Sequence, residues 1–131
     1  MAVKPALSRW VDPWLPPIAL MVLIFFLSAQ PDLNSGLGVI DLIGRKIIHA
    51  SEYALLCFLW WRAMRELLPA RHAPLAALAI TVAYSCTDEL HQTFVQGRHG
   101  TPVDVLIDAV GSVTVAVVLL RRQTALAGER P

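Results

Sequence analysis

Charge is scarce in this chain. Only 16% of its 131 residues are Asp, Glu, Lys or Arg, against about a quarter in ordinary soluble domains. With 56% hydrophobic residues and a mean hydropathy of +0.56, that scarcity excludes a typical soluble globule. A net charge of +1 offers no basic excess for phosphate backbones, so no nucleic-acid partner is expected. Cysteine is equally sparse. Cys57 and Cys86 cannot form a multi-bridge framework, and as small core residues at different depths they are not expected to pair. The chain has no Gly-x-Ser-x-Gly, no His-Glu-x-x-His and no phosphate-binding loop, which excludes the common signatures of hydrolases, zinc proteases and nucleotide-binding enzymes. It has no internal repeat, no low-complexity tract and no separate soluble domain.

What remains is apolar sequence in long blocks. A hydrocarbon core of about 30 Å needs roughly 20 apolar residues per helix, and the chain accommodates four such helices with short connections. The expected fold class is all-α: a polytopic membrane protein, a single domain over 1–131, built as a four-transmembrane-helix bundle. Residues 13–31 carry no charge, and Trp10 and Trp14 at the head of the expected helix suit an interfacial belt. A cleaved signal peptide is the rival reading, but "LSAQ" is a poor cleavage site. The first helix is expected at about 15–30. The second, about 43–66, ends in "WWRAMRELL" before the Pro69–Pro74 turn. The third spans about 74–94. The fourth, about 102–121, opens with Thr101 as N-cap and Pro102 as the first helical residue.

The charges are sorted by side. Lys4, Arg9, Arg62, Arg65, Arg71, Arg121, Arg122 and Arg130 fall on one side, eight of the eleven basic residues; Arg45, Lys46 and Arg98 fall on the other. Asp12, Glu66 and Glu129 share the first side and the other seven acids the second. The positive-inside rule then puts both termini in the cytoplasm of an inner or plasma membrane. Alternating spans bring the end of the first helix, the start of the second, the end of the third and the start of the fourth to one face. Lys46, His49 and Tyr53 form one helical stripe about 10 Å long, with Glu52 beside it. Ser85, Glu89 and Gln92 form a second, flanked by Asp88 and His91. Asp104, Asp108 and Gly111 form a third. Ionisable residues at membrane depth cost about 2.5–3.5 kcal/mol each on insertion scales. Three helices carrying them at the same end therefore imply mutual pairing and a pocket.

"GRKIIHASEYALL", "DELHQTFVQGR" and "DVLIDAVG" together resemble the VanZ-like membrane protein family. The pattern is Lys-x-x-His-x-x-x-Tyr, then Glu-x-x-Gln-x-Phe-x-x-Gly-Arg, then Asp-x-x-x-Asn-x-x-Gly. "FFLSAQP" fits as well, and the resemblance runs from about Phe25 to Leu120. It implies a site of Lys46, His49, Tyr53, Glu89, Gln92, Arg98 and Asp104. It also implies an envelope role like that of the family's best-known member, which confers low-level teicoplanin resistance. Asp108 departs from the pattern, standing where the family usually has Asn.

Several chemistries fit these residues. Arg98 and Lys46 suit a phosphate or carboxylate. His49 suits a nucleophile or general base oriented by Glu89 or Asp104. Ser85, Glu52, Asp88 and Asp108 complete a ligand-binding surround, with Glu52 a counter-ion for Lys46 or Arg98. The excess of carboxylates leaves two outcomes: a divalent cation held by Glu52, Asp88, Glu89, His49 and Asp104, or carboxylate pKa values raised by like-charge crowding. The spacing matches no metal motif, so the second, with no tight metal and no cofactor, is expected. The expected partners are the bilayer and a lipid or lipid-linked amphiphile, a lipoglycopeptide or an isoprenoid phosphate among them. Whether that ligand is processed, by phosphoryl or acyl chemistry, or only bound stays open. A structural ion-pair network that locks the bundle, or a scaffold for other envelope proteins, is the alternative. Asp104 can also be explained as a helix-start acid, and Lys46 as a residue reaching for headgroups. His91, His72 and His99 are assigned no role. A transporter fits poorly, because the short spans show no midplane charge and no inverted repeat.

Overall fold

The computed structural model describes residues 6–31 and 36–128. Lys4, Asp32, Glu129 and Arg130 lie outside the described residues, as do the side chains of Arg9 and Trp10. The described residues form four α-helices and no strand: α1 (Ala6–Ser28), α2 (Val39–Met64), α3 (Ala73–Gln92) and α4 (Pro102–Gly128).

Each helix is where the apolar blocks put it, with ends that differ for physical reasons. α1 starts earlier than expected and runs through Pro13, Pro16 and Pro17. Helical prolines are tolerated where neighbouring structure compensates the lost backbone bonds; here Pro17 is buried and Trp14 packs edge-on against Trp60 of α2, ring centroids 6.2 Å apart. α2 begins a turn early, at Val39. Asp41 sits in its first turn, favoured by the helix dipole, and Arg45 reaches back one turn to it at 2.5 Å. α4 continues past Arg122 through the good helix formers of "QTALA". Its start matches expectation, because the Thr101 hydroxyl accepts from the Asp104 amide at 3.2 Å.

α2, α3 and α4 pack on one another, and α1 lies against α2 and α3 without touching α4. The closest approach is between α2 and α4. A Cβ placed on Gly111 would run into the Ala50 carbonyl oxygen, so only glycine allows this contact. Gly100 plays the same part for the α3–α4 loop, which rests on the Glu89 carbonyl.

The burial pattern is inverted relative to a soluble bundle. Among the described residues Ser28, Thr81, Ser85, Asp88, Glu89, Gln92, Asp108 and Ser112 are buried, while the buried apolar residues are mostly small, such as Cys57, Ala63, Ala73, Ala77 and Ala116, around a packed cluster of Ile24, Tyr53 and Leu56. Large aliphatic and aromatic side chains on every helix face outward, among them Phe26 at 61%, Ile47 at 61% and Val110 at 66% exposed. Two helices have apolar windows long enough to cross a membrane, Val11–Ser28 and Pro102–Gly128. Cys57 is buried, but Cys86 faces outward rather than into the core, and both are free thiols.

Candidate functional site

The polar residues gather where α1 and α3 end and α2 and α4 begin. They divide into a buried layer and the wall of a cleft.

Asp88 organises the buried layer and is 2% exposed. Its Oδ2 accepts from the Ser28 hydroxyl at 3.0 Å, the Tyr53 hydroxyl at 3.0 Å and the Gln92 amide at 3.2 Å. One carboxylate oxygen thus joins α1, α2 and α3. Asp108, 1% exposed, does the same between α3 and α4: its Oδ2 accepts from Ser85 at 2.7 Å. Ser112 adds a donor to the Tyr53 carbonyl at 3.3 Å. Burying such groups without partners costs about 1–3 kcal/mol each, so these bonds fix which helix faces which.

Above this layer is a cleft of about 230 Å³. Its wall includes Lys46, His49, Glu89, Gln92, Arg98, Asp104 and Asp108, together with Arg45, Gly97, His99, Leu42 and Ile107. Lys46 pairs with Asp104 across α2 and α4. Asp104 also accepts from the Thr101 hydroxyl at 2.6 Å, so its helix-capping and cleft-facing roles coexist. Glu89 is held loosely, by the Thr101 amide at 3.3 Å and the Gln92 amide at 3.4 Å, both beyond the usual 2.7–3.2 Å.

Of the residues singled out in the sequence, Lys46, His49, Glu89, Gln92, Arg98, Asp104 and Asp108 line this one cleft. Tyr53, Asp88 and Ser85 lie behind it. Glu52 faces an adjoining cleft shared with Ser28, His49 and Arg98. It makes no ion pair with Lys46 or Arg98 among the described residues, because Lys46 is turned toward Asp104. Arg98 also departs from expectation. Its position after Gly97 suggests a loop cation dispensable for the bundle. Instead its Nε donates to the Gln30 carbonyl at 3.0 Å and its guanidinium to the Leu27 carbonyl at 3.2 Å. It thereby ties the α3–α4 loop to the end of α1, sharing the Leu27 carbonyl with the Gln30 amide. Arg45 was missed as a cleft residue; its spacing of four from Asp41 is the signal that orients it. His91, assigned no role, stacks on Phe25 with centroids 4.3 Å apart.

Four helices that bury acids and amides at one end and turn aliphatic side chains outward define an all-helical protein of membrane type, with a polar cleft at that end. The chain belongs to the VanZ/LLP1 family, whose family model matches residues 14–123. Comparison with curated proteins gave no match, and comparison with solved structures gave none either. Family membership and the two apolar helices together make this a membrane-associated chain of the VanZ-like type.

Proposed function

We propose that all four helices cross the membrane, with both termini in the cytoplasm, and that the cleft opens at the outer face to bind an anionic lipid or lipid-linked envelope amphiphile. The outward-facing aliphatic side chains on all four helices support the four-span reading. α2 and α3 fall short of a plain apolar span because their polar residues are spent inside the bundle, as intramembrane ionisable groups usually are. Trp14, Trp60, Trp61 and Arg65 cluster at the opposite end, with Arg65 5.2 Å over the Trp61 ring, which suits a membrane–water interface.

The observation that carries the ligand reading is the cleft's lining: three cations, Arg45, Lys46 and Arg98, beside Leu42 and Ile107. Cations suit a phosphate or carboxylate headgroup, and the apolar flank suits the first carbons of a lipid chain. Membership of the family supports a role in glycopeptide resistance, and on this reading the ligand is a lipoglycopeptide or the envelope lipid it disturbs. A second reading has its own support. The Asp88 layer, closed off behind the cleft, acts as a structural lock, so only the wall residues belong to the site.

The test titrates detergent-purified protein with a polyprenyl monophosphate and, separately, with the uncharged polyprenol of equal length. The phosphate form is expected to bind at least tenfold more tightly, about 1.4 kcal/mol, and Lys46→Ala to remove most of that preference. Equal binding of the two, or of neither, contradicts the proposal.

A further inference from the structure

His49, Glu89 and Asp108 sit on three different helices, yet one donor atom from each falls within 4.8 Å of the others. Two potential donor atoms of these residues have no partner. The Asp108 Oδ1 is buried and accepts no hydrogen bond, although the Oδ2 of the same carboxylate is held by Ser85. The His49 Nδ1 is likewise buried and unbonded. The two atoms face each other at 3.7 Å, too far for a hydrogen bond. Leaving two such groups empty-handed side by side is costly, so the gap calls for something between them.

The gap has the size of a metal ion. Zinc binds His nitrogen and carboxylate oxygen at about 2.0–2.2 Å, which puts two tetrahedral donors about 3.4 Å apart. Glu89 is the third donor, and its two long hydrogen bonds leave it free to close the remaining distance. The nearby charges do not neutralise this trio. Lys46 is paired with Asp104 and Arg45 with Asp41, while Arg98, bonded to neutral carbonyls at the end of α1, keeps its charge and offsets only part of the two carboxylates. The Ser85 hydroxyl fixes the Asp108 carboxylate from behind, as outer partners of metal ligands do.

We propose that His49, Glu89 and Asp108 form a binding site for a divalent transition-metal ion at the floor of the cleft. Imidazole with two carboxylates suits zinc and its neighbours better than calcium or magnesium. Three protein donors leave a fourth position directed into the cleft, the arrangement of sites that hold a water or a ligand oxygen. The ion also staples α2, α3 and α4 together. The metal site does not rest on the lipid reading, and either can fail alone.

The experiment uses the full chain, purified in detergent, stripped with a chelator and then loaded with zinc. After desalting, elemental analysis is expected to find about one zinc per chain, and the melting temperature is expected to rise with zinc concentration. Asp108→Asn has nearly the same shape and keeps an oxygen for the Ser85 hydroxyl, so it is expected to fold; it should bind zinc at least tenfold more weakly and lose the melting shift. His49→Gln should behave alike. Wild-type protein that retains no zinc overturns the proposal, because a proton or a water then fills the gap. Equal zinc binding by wild type and both variants also overturns it, assigning the metal to surface groups such as His72, His99 or Cys86.

Discussion

Asp88 shows how one side chain sets the orientation of three helices. It holds Ser28, Tyr53 and Gln92 on a single oxygen. Replacing it with Ala leaves the Ser28 and Tyr53 hydroxyls without an acceptor and Gln92 with only its long bond to Glu89. Interhelical bonds of this kind average about 0.6 kcal/mol in membranes, and dry orphaned groups cost about 1–3 kcal/mol each. Asp88→Ala is therefore expected to lose about 2 kcal/mol or more in detergent unfolding. Asp88→Asn keeps an acceptor oxygen and should lose less. Unchanged stability in Asp88→Ala would show that the buried layer does not lock the helices. Tyr53 belongs to the same layer. It is fully buried and absent from the cleft wall, so Tyr53→Phe should cost about 1 kcal/mol and leave phosphate-lipid binding intact. Loss of binding at normal stability would instead move Tyr53 into the site.

Among the helices, the α2–α4 contact is the one most dependent on a single residue. A Cβ at Gly111 collides with the Ala50 carbonyl, whereas one at Gly44, also helical, meets nothing. Overpacking a tight contact costs about 1–3 kcal/mol, so Gly111→Ala should lower the melting temperature. Gly44→Ala should leave stability unchanged or raise it by up to about 1 kcal/mol. Equal behaviour of the two would contradict this packing. Much of this arrangement can be read from sequence. Alternating apolar blocks determine four helices, and the i, i+3, i+7 spacing of Lys46, His49 and Tyr53 puts them on one face. Thr101–Pro102 marks the start of α4. Spacing says nothing about depth or partner, however. It cannot separate Tyr53, turned into the core, from His49 one turn away at the cleft, nor reveal that Arg98 folds back onto α1. The starts of α1 and α2 depend on tertiary contacts, Trp14 on Trp60, and on the Asp41–Arg45 pair, so local apolarity misplaces them. The approach of His49, Glu89 and Asp108 joins three helices and matches no linear motif.

For the molecule as a whole, the outward-facing aliphatic side chains and the sorted charges support the proposal of a four-span bundle whose polar end faces outward. His99 lies at the cleft and Arg71 in the α2–α3 turn at the opposite end; both are exposed. In a Cys86→Ser background, where the remaining Cys57 is buried, His99→Cys and Arg71→Cys each present one accessible thiol. Cells expressing either variant are treated with a membrane-impermeant maleimide, before and after permeabilisation. His99→Cys is expected to label in intact cells, and Arg71→Cys only once the membrane is opened. Labelling of Arg71→Cys in intact cells with His99→Cys protected would put the cleft on the cytoplasmic side, and labelling of both in intact cells would contradict the four-span bundle itself.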